Sequence, residues 1–281
     1  MNTTFVIARL TFLEAARRRI LLAGLLLGIA FLVLFNIGFY FIQAEMLRAV
    51  AREPLPAATA RNMYNFLLMA GLYAINFLSI ATGALLAADT LAGEINSGTI
   101  QAVVTKPVRR AEVVAGKWLG FAGLIGLYLL LMIGGLMISI WVQSGYVAPN
   151  ILRGVSLIYL TSLLMMTVTL ACSSTLSTLA TGGVVFGLFG LAFIGGWVER
   201  IGAFLKNGTA VEVGVVSSLI IPSEAMWQRA AFEMTSPLVQ TLGISPFVSP
   251  SVASPLMVVY AFVYLAVMLA FALRQFGRRD L

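Results

Sequence analysis

Apolar residues along this chain come in long unbroken runs rather than in alternation with polar ones. Five stretches hold no charged residue: 20–42, 63–88, 118–152, 154–198 and 255–273. A helix rises 1.5 Å per residue, so about 20 residues cross a hydrocarbon core of about 30 Å. Backbone groups in lipid must find partners inside their own segment or in a closed barrel. Continuous rather than alternating runs select helices. The stretch 154–198 is too long for one crossing, since as a single helix it would reach roughly 67 Å. Its middle holds Ser173, Ser174, Thr175, Ser177, Thr178 and then Thr181-Gly182-Gly183, a turn-prone patch. Splitting it there predicts six spans at about 20–43, 63–88, 118–143, 152–172, 180–198 and 255–273.

Charge fixes an expected orientation. With six spans, one side carries 1–19, 89–117, the turn near 173–179, and 274–281. Those segments hold eleven basic and five acidic residues, net +6, against seven and six on the other side, net +1. Lys/Arg excess marks the cytoplasmic face, which places both termini there. The first apolar stretch of 23 residues has no clean small-residue cleavage site after it, so it is expected to remain a span. Residues 3–19 precede it. At 100° per residue, Thr4, Thr11, Glu14 and Arg18 share one face, and Phe5, Phe12, Leu13 and Ala16 the other. Arg9 falls within the apolar face. Two readings follow: an amphipathic interfacial helix, or an extension of the first span.

The outer loop 44–62 contains Pro54 and Pro56 and is not expected to form one long helix. The stretch 199–254 reads as external, with Pro222, Pro237, Pro246 and Pro250. Helical character runs over 224–239. The apolar piece 213–221 is too short to cross, leaving a re-entrant pair or a surface helix packed on the bundle. The fold class is therefore all-α membrane protein, 1–281 as one transmembrane domain, with short extracellular helices before the last span.

Composition excludes several chemistries. Only 10% of residues are charged, there is no histidine, and Cys172 is the one cysteine. Zinc and haem sites of the usual kinds lack their ligands. The predicted span cores carry no Asp, Glu, Lys or Arg, which argues against a proton-driven antiporter or a voltage-gated channel. Polar span residues such as Asn36, Asn65, Asn76, Ser79, Thr82, Ser139 and Ser162 are expected mostly to tie helices together. Gly-xxx-Gly occurs at Gly24/Gly28, Gly116/Gly120 and Gly183/Gly187, a pattern that permits close helix approach. A phosphate-binding loop of the form GxxxxGK[ST] is missing. Gly116-Lys117 comes nearest, but Trp118 follows and Ala111 stands at the first glycine position.

The loop 89–117 has more structure than charge bias alone requires. Asn96-Ser97-Gly98 breaks a helix continuing past Asp89, a short amphiphilic helix covers about 99–105, and Pro107 ends it. A new helix starts near Arg110. Glu94, then Gly98-Thr99, the apolar 100–104, Pro107, Arg110 and Gly116-Lys117 stand in the order and spacing of the first cytoplasmic loop of ABC-2 type transporter permeases, which the sequence resembles. Residues 3–19 look like that family's connecting helix, and 173–179 like its second cytoplasmic turn. The segment 221–227 and the ending 276–281 are similar in style to the family.

The resemblance implies a permease subunit of an ATP-binding cassette exporter. Two separate ATP-binding subunits would hold ATP and Mg, so this chain would need no cofactor and would not itself be an enzyme. Its other partners would be a second permease copy, as a homodimer or with a related permease, and membrane lipids, with no nucleic acid. The location implied is the plasma (inner) membrane, multi-pass. Glu94, Gly98, Pro107, Arg109, Arg110 and Lys117 would form the ATPase-coupling interface, with either Arg109 or Arg110 at the family's arginine position. A non-transporting scaffold and a secondary transporter are the other two classes, the second disfavoured by the uncharged spans. Lipids, hydrophobic drugs and amphipathic peptides are all compatible as cargo.

Overall fold

The computed structural model describes residues 3–52, 57–96, 109–235 and 252–278. Nine helices occur among them: α1 Thr3–Ala16, α2 Arg19–Arg52, α3 Ala57–Asn96, α4 Arg110–Ser144, α5 Ile151–Ser173, α6 Thr178–Phe204, α7 Gly208–Ile220, α8 Ser223–Glu233 and α9 Pro255–Arg278. Strands are absent among the described residues. Six helices, α2 to α6 and α9, are long and apolar enough to cross a membrane. Pro54, Pro56, Gly98, Pro107, Pro237, Pro246 and Pro250 lie outside the described residues.

Local chemistry sets the helix ends. Glu112, in the first turn of α4, accepts the Arg109 backbone N–H at 3.2 Å, where a carboxylate also meets the positive end of the helix. Gly145 ends α4 at φ +66, a left-handed cap that returns its N–H to the Trp141 carbonyl at 2.8 Å. The turn between α5 and α6 is only 174–177. Ser177 caps α6 by accepting the Ala180 N–H at 3.4 Å.

Among the described residues the helices pack around three apolar centres, two of them large. One joins Leu72 and Ile75 of α3 with Leu129 and Leu136 of α4 and Trp227 of α8. The other joins Leu164 and Val168 of α5 with Val185 and Phe189 of α6 and Ala261 of α9. Hydrogen bonds stitch the spans together, as the polar residues lead one to expect. Asn65 reaches Tyr146 Oη at 2.8 Å, Trp118 reaches Thr167 at 2.8 Å, and Ser79 meets Ser162.

α1 docks along α4, and the reason lies in two glycines. A Cβ on Gly116 would come within 2.7 Å of Ile7, and one on Gly120 within 2.7 Å of the Ala8 carbonyl oxygen. Helix backbones meet only where neither side has bulk. The docked face is accordingly small, with Ala8, Thr11 and Ala15 buried, while Phe5 and Leu13 are exposed. A Cβ on Gly24 of α2 would likewise come within 2.7 Å of Thr82, and one on Gly28 within 2.6 Å of Met132. Gly183 and Gly187 of α6 have nothing within 4 Å.

The stretch after α6 departs from the span boundaries expected above. α6 runs on to Phe204, and Lys206 at φ +54 begins a reversal. α7 then retraces α6 antiparallel, Ala210 opposite Gly202 and Ser217 opposite Gly195. At Ile221-Pro222 the chain bends by 108° into α8, which packs on α5.

Candidate functional site

Two groups of side chains stand out from the apolar framework. The first lies at the end of the bundle that carries α1, the α3–α4 connection and the α5–α6 turn. Asp89, on the last turns of α3, is its hub. Arg18 Nη1 donates to Asp89 Oδ2 at 3.5 Å, and Arg18 Nη2 to Glu14 at 2.8 Å. Thr178 Oγ1 donates to Asp89 Oδ1 at 3.4 Å, and Ser173 Oγ to the Ala88 carbonyl at 3.0 Å. One carboxylate thus joins the α1–α2 corner, the end of α3 and the start of α6. The Arg18–Asp89 pair is half-exposed, which limits each bond to at most about 1 kcal/mol.

Of the residues singled out in the sequence, Arg109, Arg110 and Lys117 have described side chains. Arg109 is exposed just before α4. Arg110 reaches the Gly277 carbonyl of α9 at 3.5 Å, tying the start of α4 to the end of the last span. Lys117 sits two turns further along α4 and is buried, 7% exposed. Glu94 falls on the last turn of α3, its side chain outside the described set, while Gly98 and Pro107 lie outside the described residues. Among the described residues no group of three His, Cys, Asp or Glu side chains is placed to hold a metal.

The second group puts buried charges where the sequence predicts an external segment. Glu199 and Arg200 lie within α6, and Glu224 opens α8. All three are buried. Arg200 pairs with Glu224. Glu224 also accepts the Tyr73 hydroxyl of α3 at 3.2 Å, and Glu199 accepts Gln228 Nε2 at 3.2 Å. The Arg200 guanidinium stands over the Trp197 ring at 4.8 Å and the Tyr73 ring at 5.8 Å, within cation–π range. Gly196 leaves room for Glu224, and Gly214 for Glu199. With the fifth span expected to end at 198, these charges fall by sequence in the external stretch 199–254. The Gly195-Gly196 pair just before them is the signal that a second helix presses close here.

The family model described as "ABC-2 family transporter protein" matches residues 5–281. No curated protein matches the chain.

Proposed function

Because this chain belongs to the ABC-2 transporter family, we propose that it is the membrane-spanning permease of an exporter driven by a separate ATP-binding subunit. The observation that carries the reading is the Asp89 hub. The connection 97–108 joins α3 to α4, and these two helices are held to α1, α6 and α9 by Arg18, Thr178 and Arg110. A push on that connection would therefore reach five helices as a nearly rigid body. In this reading the hub end is cytoplasmic, in line with its basic excess. Both termini share that side, and the membrane is the inner (plasma) membrane.

ATP and Mg belong to the partner, which docks on 94–110, with two ATP-binding subunits per pair of permeases. This chain carries no catalytic step. The second permease is another copy, and the open glycines of α6 support that. Gly182, Gly183, Gly187 and Gly190 have nothing within 4 Å, yet each costs a helix about 1 kcal/mol relative to alanine. A second helix seated on Gly183 and Gly187 would account for them.

The test is Glu94→Ala with Arg110→Ala. Co-purification with the ATPase and ATP-driven flux should both fall, with the fold intact. If assembly and flux are unchanged, the coupling assignment fails.

A further inference from the structure

α1 is oriented the opposite way from a helix that faces water. Its 14 residues are too few to cross the core. The side holding Thr4 and Thr11, with the small Ala8 and Ala15, is the one docked over Gly116 and Gly120 of α4. The outward side carries Phe5, Arg9 and Leu13 at four-residue spacing with Leu10 beside them, and all four are exposed. At 100° per residue the two groups lie roughly opposite. The more polar side is thus buried in protein, and the large apolar side chains point outward.

Cations border this apolar side without carboxylates to meet them. Arg17, Arg18 and Arg19 make the corner between α1 and α2. Arg18 turns inward to Glu14 and Asp89, while Arg17 and Arg19 are exposed. Among the described residues Arg9, Arg17 and Arg19 form no ion pair. The described carboxylates of α1, the end of α3 and the start of α4 are already engaged: Glu14 and Asp89 with Arg18, and Glu112 with the Arg109 N–H. α2 begins at Arg19 and exposes Leu22, Leu26 and Leu27, so exposed apolar residues resume within one turn of the corner.

We propose that the outward side of α1 and the Arg17–Arg19 corner dock on anionic lipid of the inner leaflet. Water would leave Phe5, Leu10 and Leu13 unburied. A second copy would bring the same unpaired arginines and no spare described carboxylate. An anionic lipid surface meets both demands. The apolar side chains enter the boundary of the acyl chains, and the guanidiniums take phosphate oxygens in bidentate fashion. A zwitterionic head carries its own cation beside the phosphate, so charge complementarity selects the anionic one. Arg274 and Arg278, exposed at the end of α9, provide an internal contrast: they share this end of the bundle but do not lie on α1. The name inner leaflet rests on the permease reading; binding itself does not.

The experiment uses the full chain in phosphatidylcholine nanodiscs doped with phosphatidylglycerol carrying a diazirine on its acyl chain. A parallel set carries phosphatidylcholine with the same diazirine chain, and labelled peptides are mapped by mass spectrometry. Over 3–22 the phosphatidylglycerol probe should label more strongly, and the preference should shrink as salt is raised. Arg9→Gln, Arg17→Gln and Arg19→Gln, all at exposed positions, should each reduce the preference about five-fold, the effect of about 1 kcal/mol per arginine at an anionic surface. Arg274→Gln with Arg278→Gln should leave it unchanged. Phe5→Ser with Leu13→Ser should lower labelling by both probes. Equal labelling by the two lipids, no response to Arg17→Gln and Arg19→Gln, or an equal loss from the α9 pair would each overturn the inference. So would efficient disulfide formation between two copies of Leu10→Cys in a Cys172→Ser background, which assigns the face to a second chain. Loss of labelling on adding the ATP-binding subunit assigns it to that partner and overturns the inference as well. ATP-driven flux with no phosphatidylglycerol preference over 3–22 sinks this inference alone. The preference with no ATP-linked activity sinks the permease reading alone.

Discussion

Removing Arg200 gives the sharpest test of how the chain tolerates charge among its helices. The Arg200 side chain is 6% exposed and its partner Glu224 2%. In Arg200→Leu the Glu224 carboxylate keeps the Tyr73 hydroxyl but loses its cation. Glu199 loses the nearest positive charge as well. Breaking a buried pair from one side costs about 3–5 kcal/mol, because an uncompensated charge remains. Lost contact with Trp197 and Tyr73 adds about 0.5–2 kcal/mol. Arg200→Leu with Glu224→Gln removes the orphan charge and keeps an acceptor for Tyr73, and replacing a buried pair outright is often nearly neutral. The double variant should therefore be more stable than Arg200→Leu alone, with a coupling of about 2 kcal/mol or more. Unfolding titrations in mixed micelles measure all four corners of the cycle, and amide exchange over 223–233 reports whether α8 has come loose from α6. The reasoning is refuted if Arg200→Leu costs under about 1 kcal/mol, or if the two single costs simply add.

Gly120→Leu should displace α1, since even a Cβ there meets the Ala8 carbonyl at 2.7 Å and Thr11 at 2.9 Å. A destabilisation of about 1–3 kcal/mol with faster tryptic cleavage at 17–19 is expected, and unchanged cleavage contradicts the close contact. Gly183→Leu with Gly187→Leu should leave the melting temperature of the single chain unchanged or slightly higher, because space there is open and leucine is the better helix former. Fluorescence energy transfer between copies should drop in the same variant; unchanged transfer would place the second copy elsewhere. Asp89→Asn should cost under about 1 kcal/mol in stability, given the half-exposed pair with Arg18. Its larger effect should be on ATP-driven flux with the partner bound, and equal flux in the variant and the parent would remove the hub from the mechanism.

Part of this organisation is legible in single segments. The helical hairpin at α5–α6 follows from a run too long to cross once and a Ser/Thr patch in its middle, and α5 ends at Ser173 with α6 beginning at Thr178. Gly116/Gly120 could be read as a contact motif, but so could Gly183/Gly187, and the spacing does not say which pair is filled. Glu199 and Arg200 depart from the expectation for a related reason. A span boundary drawn at the first charge assumes that charge faces water, and α7 and α8 cover these two instead.

The division has one physical origin. The number of spans and the end of the bundle that carries the basic excess follow from one-dimensional constraints: core thickness, the self-satisfied helix backbone, and charge bias. The sequence alone determines these, because each depends on a local stretch. Which face of each helix meets which neighbour depends on rotation and pairing between residues far apart in the chain. Asn36 and Gln143 are 107 positions apart, and Tyr73 and Glu224 are 151. Only the tertiary structure brings them together, and with them the buried charge cluster.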